Sequence, residues 1–510
     1  MNVQTYLIDT NIIIGLEDNH AVEPVFSTFF SMAVKHGVGV FVHAAARDDI
    51  LRDKDEKRRK VSLSKLEKFQ VIDRVRGLTE EELGSSFGPL RKPNDLVDST
   101  LLHALSIGAA DFLVTQDKGL HLRARRYSSE LGRRVLHIAD AVELLKTTFE
   151  PKEIPVRFVE EVTANTIPLC DDIFDTLRED YPEFDRWWRN KCIREHRPCW
   201  VVYDSGLAGL IVRKDEDPSK TDATLKAKKI LKICTFKVKS EKRGTKLGEL
   251  LLKKVFWYAQ KNSYDLVYLT AYNTQEALID LLEFYGFVQT EIKGDGEIIY
   301  EKRFSKRKLL RSKNEDVYFL DRKSYPRFVT SPDIKFFGIP IKEEYHDTLF
   351  PDLKEVYQGD LFECAGLGSG PRRPGNTIRK VYLCRSPSNL GRAGSLLFFY
   401  KGKSKGNPSQ ALTAIGVLEE VALASSTKDL MRLTGGRSVY SEEELEGWGA
   451  SERPVKVINF LLVGYIEPAI TLSELYSSHV FNNNPPQSIF EVREEKARII
   501  LDKLDLGFRL

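Results

Sequence analysis

The run Lys229-Ile230-Leu231-Lys232-Ile233-Cys234-Thr235-Phe236-Lys237-Val238 decides the fold of the middle of this chain. It has the length and apolar content of a buried strand. It ends in Ser240-Glu241-Lys242-Arg243-Gly244-Thr245-Lys246-Leu247-Gly248, and a helix is predicted directly afterwards, over Leu247–Lys261. Leu247, Leu250, Leu251 and Val255 lie on one face of that helix. A strand, a glycine-bearing turn and a helix N-terminus form a cradle for pyrophosphate, because the first-turn amides and the helix dipole both favour an anion there. Further along stand Ala271-Tyr272-Asn273 and Leu281-Leu282-Glu283-Phe284-Tyr285-Gly286-Phe287. Around these, helices are predicted over Asp171–Arg189 and Gln275–Tyr285. Strands are predicted at Trp200–Tyr203, Leu266–Thr270 and near Ile298. The segment 151–304 is therefore α+β.

These paired motifs resemble the GCN5-related N-acetyltransferase (GNAT) family, whose signature is a strand, R/Q-x-x-G-x-G/A, a helix, and a later helix ending in GF. The resemblance implies acetyl-CoA as cofactor. It places the backbone of Phe236 and Val238 along the pantetheine arm. It puts the amides of Arg243, Gly244, Thr245, Lys246, Leu247 and Gly248 around the pyrophosphate, and Asn273 at the thiol end. Lys246 occupies the position of the first signature glycine. Leu282 stands where the family has its tyrosine acid, with Tyr285 three positions later.

Residues 1–150 read differently. Short apolar strands at Tyr6–Ile8, Val38–Val42 and Asp111–Thr115 alternate with helical patterns such as Leu101-Leu102-x-Ala104-Leu105, which predicts a parallel α/β sheet. Asp9 ends the first strand, Asp49 follows the second, Asp98 heads a helix, and Thr115 and Asp117 follow the third strand. Residues just past strand C-termini converge in one crevice of such a sheet. Crowded carboxylates repel, and a hard cation relieves the repulsion, so Asp9, Asp49, Asp98 and Asp117 are candidate ligands for Mg²⁺ or Mn²⁺. A metal-bound water then serves phosphodiester hydrolysis, with the Thr115 hydroxyl orienting a ligand or a phosphate oxygen. Asp48 competes with Asp49, and Asp95 is a fifth carboxylate one turn before Asp98.

In order and spacing this set resembles the PIN-domain nucleases, which implies metal-dependent cleavage of RNA by Asp9, Asp49, Asp98, Thr115 and Asp117. The likeness also implies a homodimer. The basic run Arg52–Lys60 reads either as a guide for a phosphate backbone or as a solvated helix face.

Residues 305–314 read as an exposed basic linker, within a stretch that begins at Lys302 and Arg303. Residues 315–510 hold the β-rich runs Arg379–Cys384, Ser395–Tyr400, Leu412–Val417 and Val455–Val463, separated by glycine-rich loops. This pattern resembles a PUA-like β-barrel of the ASCH or EVE type, which implies RNA binding. Arg372, Arg373, Arg379 and Lys380 are candidates for phosphate contact. Phe398, Phe399 and Tyr400 either stack bases or fill the core. His346 and His479 read as ordinary histidines.

Composition fits this division. The chain has 510 residues and a net charge of +3, enough for about three domains and neutral on the question of nucleic acid. Its six cysteines include no CxxC pair, which argues against structural zinc and for a reducing cytoplasm. There is no signal-peptide pattern and no apolar run long enough to span a membrane. The leading expectation is a PIN-type endoribonuclease carrying an acetyl-CoA-binding GNAT domain and an RNA-recognition module. By analogy this is a toxin or defence effector with an antitoxin or regulatory partner. One alternative is an N-acetyltransferase acting on RNA, aminoacyl-tRNA or protein with a PIN-like binding domain; another is a non-enzymatic RNA-binding sensor.

Overall fold

The computed structural model describes residues 4–14, 24–52, 56–72, 77–150, 156–242, 245–304, 316–331, 333–353, 376–404, 408–434, 439–440, 442–450, 453–481, 484–503 and 506–507. The chain divides into two compact units: Met1–Glu153 with Ala422–Val457, and Ile154–Val421 with Ile458–Leu510.

In the first unit, β1 (Thr5–Ile8), β2 (Gly39–His43), β3 (Gln70–Ile72), β4 (Phe112–Val114) and β5 (Val135–Leu136) form one sheet in the order 3-2-1-4-5. Every neighbouring pair is parallel. Side-chain alternation explains how such short strands hold. Tyr6, Ile8, Phe112 and Val114 enter one core with Phe29 and Leu145. Leu7 and Leu113 enter another with Leu101, Leu105 and Leu120. Burial on both faces is what a parallel sheet covered by helices requires. The helix Thr427–Thr434 joins this unit from far along the chain. Lys428 pairs with Asp111 at 3.1 Å and Arg432 with Glu130 at 3.4 Å. Partly exposed pairs of this kind contribute about 0–1 kcal/mol, so burial of Leu430 and Leu433 outweighs them.

The second unit contains two sheets. The first runs through β6 (Glu160–Thr163), β7 (Pro198–Tyr203), β8 (Leu207–Glu216), β9 (Ile230–Val238), β10 (Leu266–Ala271), β11 (Val288–Ile292) and β12 (Ile298–Arg303). Its order is 11-12-10-9-8-7-6, and β9 with β10 is its one parallel pair. The helix expected over Asp171–Arg189 is broken into Asp175–Asp180, Phe184–Trp187 and the π-helical Trp188–Ile193. Pro182 is the cause: it pushes Tyr181 out of the helical region, to φ −131° and ψ 90°.

The other sheet comprises β13 (Phe336–Ile341), β14 (Arg379–Cys384), β15 (Leu396–Lys401), β16 (Ala411–Ala424), β17 (Val455–Thr471) and β18 (Phe490–Val492), in the order 14-17-16-15-13-18, with β19 (Leu506–Gly507) paired to β17. The path is open, so among the described residues the expected PUA-like barrel does not close. Its edge strand β14 is covered instead: the Arg379 backbone N–H donates to Glu249 Oε1 at 2.6 Å.

Several expected RNA contacts fall with this arrangement. Phe398, Phe399 and Tyr400 are at most 1% exposed and belong to the core. Lys380 is buried and donates to the Leu349 carbonyl, and Arg379 pairs with Glu419 at 3.0 Å. Arg372, Arg373 and the basic linker 305–314 lie outside the described residues. Lys302 belongs to β12 rather than to an exposed linker. It is 2% exposed, and its ammonium donates to the carbonyls of Tyr285 and Lys323.

The helix Leu247–Lys261 explains why the acetyltransferase-like segment up to residue 304 shares a unit with the later stretches up to Val421 and from Ile458 on, whereas Ala422–Val457 leaves for the first unit. The helix buries Leu247, Leu250, Leu251 and Val255, but also Leu252, Lys253, Phe256 and Trp257. Trp257 Nε1 donates to Tyr325 OH at 2.9 Å, and Tyr325 OH donates to the Leu462 carbonyl at 2.7 Å. Lys253 Nζ meets Asp352 at 2.7 Å and the Asn376 carbonyl at 2.6 Å. Gly286 is part of the same seam. It has φ +85°, and a Cβ there would lie 2.2 Å from the Lys323 carbonyl oxygen. We therefore expect Gly286→Ala to destabilise this unit by about 2–4 kcal/mol, from backbone overlap and a left-handed alanine together. Urea unfolding followed by tryptophan fluorescence checks this; a midpoint equal to wild type contradicts it.

Candidate functional sites

The first unit gathers its acids at the C-terminal edge of its sheet. Asp9 directly follows β1, and Thr115 directly follows β4. Since β1 lies between β2 and β4, chain connections leave in opposite directions at this point and open a crevice. Asp9 is 6% exposed and held from several sides. Thr115 Oγ1 donates to it at 2.6 Å, Asn11 Nδ2 at 2.7 Å and the Thr10 backbone N–H at 2.7 Å. Asn11 also donates to Thr115 Oγ1 at 3.0 Å and accepts from the Gln116 backbone at 3.2 Å, which ties the two loops together. Asp117 caps the helix Lys118–Tyr127 by accepting from the Leu120 N–H.

Electrostatics links these carboxylates. Burial pushes Asp9 up to about 6, and the charges of Asp117 and Asp49 add to the rise. Burial, then Asp117 and Asp9, push Asp98 up to about 8. Asp49 rather than Asp48 reaches Asp9, although Arg52 already pairs with it at 2.9 Å. Asp95 turns away and pairs with Arg123 at 2.7 Å. Oxygen-only donors whose charges raise one another match the chemistry of a hard divalent ion. In the arrangement described, however, no three His, Cys, Asp or Glu side chains among the described residues are grouped closely enough to hold one.

The second unit contains a different opening. β9 and β10 are paired from Ile230↔Leu266 to Ile233↔Leu269. Beyond that, β9 runs on to Val238 along β8, while β10 runs on to Ala271 along β12. The two strands thus part at Phe236 and Val238, both half-buried. At the end of β9 stands the N-terminus of the helix Leu247–Lys261, and the side chain of its N-cap residue, Lys246, does not cap it. Lys246 precedes it with φ +63°, the left-handed conformation that the signature glycine satisfies, at a cost of about 1 kcal/mol for a lysine. Arg243 and Gly244 lie outside the described residues; Thr245 donates to the Lys242 carbonyl. Gly248 sits against the neighbouring helix, where a Cβ would be 3.3 Å from Leu281 Cδ2.

Asn273 is exposed in the turn after β10. Beside it lies a group that sequence reasoning missed. Tyr272 packs against Tyr181 with the rings tilted by 36° and their centroids 5.3 Å apart. Tyr181 OH donates to Glu297 Oε1 at 3.0 Å, and Lys293 meets Glu297 Oε2 at 3.0 Å. Burial and then Glu297 raise the Tyr181 phenol. No spacing advertises these residues, because they come from three separate stretches of chain. Tyr285, in contrast, is fully buried, with its phenol pushed well up by burial. That removes it as an exposed cofactor contact and as a substitute for the acid missing at Leu282, which is itself fully buried.

The sequence model of the acetyltransferase (GNAT) family matches residues 164–287, and this part of the chain is a GNAT acetyltransferase domain. No curated protein matches the chain. Among solved structures, an ASCH protein from Zymomonas mobilis is similar at 17% identity, over 34% of this chain and 97% of that one, with TM-score 0.24. An IAA acetyltransferase from Bacillus cereus is similar at 13% identity, over 29% of this chain and 99% of that one, with TM-score 0.23. PaiA N-acetyltransferase from Thermoplasma acidophilum, in complex with coenzyme A, is similar at 15% identity, over 29% of this chain and 100% of that one, with TM-score 0.24.

Proposed function

We propose that this protein is an acetyl-CoA-dependent N-acetyltransferase. The observation that carries the reading is the parting of β9 and β10 at the foot of a helix whose N-cap residue, Lys246, holds a left-handed turn and does not cap it with its side chain. Acetyl-CoA, when bound, supplies an activated acetyl thioester. The first-turn amides of the helix Leu247–Lys261 bind its pyrophosphate, with Lys246 adding charge. The free edge of β9 at Phe236 and Val238 orients the pantetheine arm by backbone hydrogen bonds. Tyr181, Tyr272 and Glu297 receive the acceptor: the aromatic pair flanks an amine, and the Glu297 carboxylate takes its proton. The thiolate acid of the family is absent, so solvent supplies that proton.

Two outcomes are expected. Gly248→Glu places charge and bulk among the first-turn amides and weakens acetyl-CoA at least about thirtyfold by calorimetry, whereas Gly248→Ala, meeting only Leu281, weakens it slightly. Equal affinities for both variants and wild type sink the cradle. Glu297→Gln lowers kcat/KM for an amine acceptor by about 10²-fold and leaves the KM for acetyl-CoA near wild type. A change in the acetyl-CoA KM alone contradicts the assigned role.

A second activity is favoured by one observation: four aspartates at the sheet's switch point share a field that raises Asp9 and Asp98. We infer a Mg²⁺- or Mn²⁺-dependent phosphodiesterase of the PIN type acting on RNA, in which Asp9, Asp49, Asp98 and Asp117 would hold the ion only on drawing closer than they stand here, with Thr115 fixing Asp9. Asp9→Asn and Asp98→Asn should each abolish RNA cleavage and leave acetyl-CoA affinity intact. Cleavage surviving in both variants, or insensitive to EDTA, rules this out.

A further inference from the structure

A cavity of about 460 Å³ lies at the outer edge of the C-terminal sheet, beside β18 and the start of the helix Glu494–Asp502, wholly within the second unit. That volume falls in the range of about 300–1,000 Å³ that suits a small molecule. The cavity shares no residue with either site described above.

Two rings form its apolar side. Phe481 and Phe490 meet edge to face, with centroids 5.3 Å apart and planes at 75°. A missing side chain sets the place of Phe490. β13 pairs Gly338 with Phe490, and a Cβ on Gly338 would lie 2.1 Å from Phe490 Cζ, so the ring lies across the glycine. Phe481 is buried and packs edge to face against Tyr400, with centroids 5.9 Å apart. Two rings fixed at a steep angle offer a face and an edge to a third flat ring.

The polar side carries surplus positive charge. Arg493 and Lys496 both line the cavity, and among the described residues neither has a carboxylate within ion-pair distance. Glu491, the one carboxylate in the lining, pairs with Lys335 at 3.1 Å. Glu494 pairs with Arg498, and Glu495 lies outside the lining. Lys496 Nζ donates to the Val480 carbonyl at 3.0 Å, which uses one of its three N–H groups. Arg493 is exposed, so the charged side is open to solvent. Two cations without a carboxylate, beside two fixed rings, select a ligand that is flat in one part and anionic in another. A neutral ring forfeits the charge-assisted bonds, and a cationic amine is repelled.

We propose that this cavity binds a small aromatic anion, with its ring against Phe481 and Phe490 and its carboxylate or phosphate on Arg493 and Lys496. Aryl carboxylates and nucleotides are the two sources of that chemistry. The inference stands apart from both acetyl transfer and RNA cleavage.

The test is calorimetry on the full chain in phosphate-free buffer, with two matched pairs of probes. Anthranilate is compared with 2-aminobenzamide, and adenosine 5′-monophosphate with adenosine; each pair keeps its ring and differs in the anionic group. In at least one pair the anion is expected to bind at least about tenfold more tightly than its neutral partner. A preference in the first pair alone identifies a carboxylate ligand, and in the second alone a nucleotide; in both, the site accepts either. Arg493→Gln, at an exposed position with little risk to folding, should remove the preference. Phe490→Leu should weaken both members of that pair by about threefold. A wild-type chain that binds none of the four, or binds each anion no better than its partner, overturns the proposal. So does a preference that survives Arg493→Gln, or an affinity indifferent to Phe490→Leu.

Discussion

The burial of the helix Leu247–Lys261 on two sides is the constraint from which most of the second unit follows. A helix with one apolar stripe serves one sheet; one that is apolar nearly all round must be enclosed. Leu247, Leu250, Leu251 and Val255 fix it on its own sheet, while Phe256 and Trp257 require a second surface, supplied by Tyr325 and β17. Enclosure also fixes where the helix begins. Its N-terminus is held at the point where β9 leaves β10, so the geometry that supports a pyrophosphate cradle comes from packing rather than from the loop alone.

That same helix marks the reach and the limit of the sequence. Its bounds, and those of β14, match the expected spans, because apolar periodicity and turn residues act locally. Its second buried face was present in Leu252, Phe256 and Trp257, yet a single amphipathic stripe accounted for the pattern and hid the other partner. Lys302 misled for a related reason. A lysine beside a basic run looks solvated, but its stem lies in β12 and its ammonium finds two carbonyls. For Phe398 to Tyr400 the choice between base stacking and core stayed open in the sequence, because alternation does not say which face of a strand is wet; their burial settles it as core.

The acidic edge of the first unit was legible for a different reason. In a parallel sheet, position just after a strand is also position in space, so Asp9, Thr115 and Asp117 could be brought together from order alone. The choice between Asp48 and Asp49 could not, since it depends on which face of a short helix looks at Asp9. The group of Tyr181, Tyr272 and Glu297 stayed hidden because Pro182 breaks an expected helix and re-aims Tyr181.

The excursion Ala422–Val457 has a topological consequence. The backbone passes between the two units three times: after Glu153, after Val421 and after Val457. The first unit is thus a discontinuous fold, completed only after most of the second has been synthesised. A single proteolytic cut at the first crossing therefore splits the first unit itself, leaving Met1–Glu153 held to Ala422–Val457 only by non-covalent packing such as the Lys428–Asp111 and Arg432–Glu130 pairs.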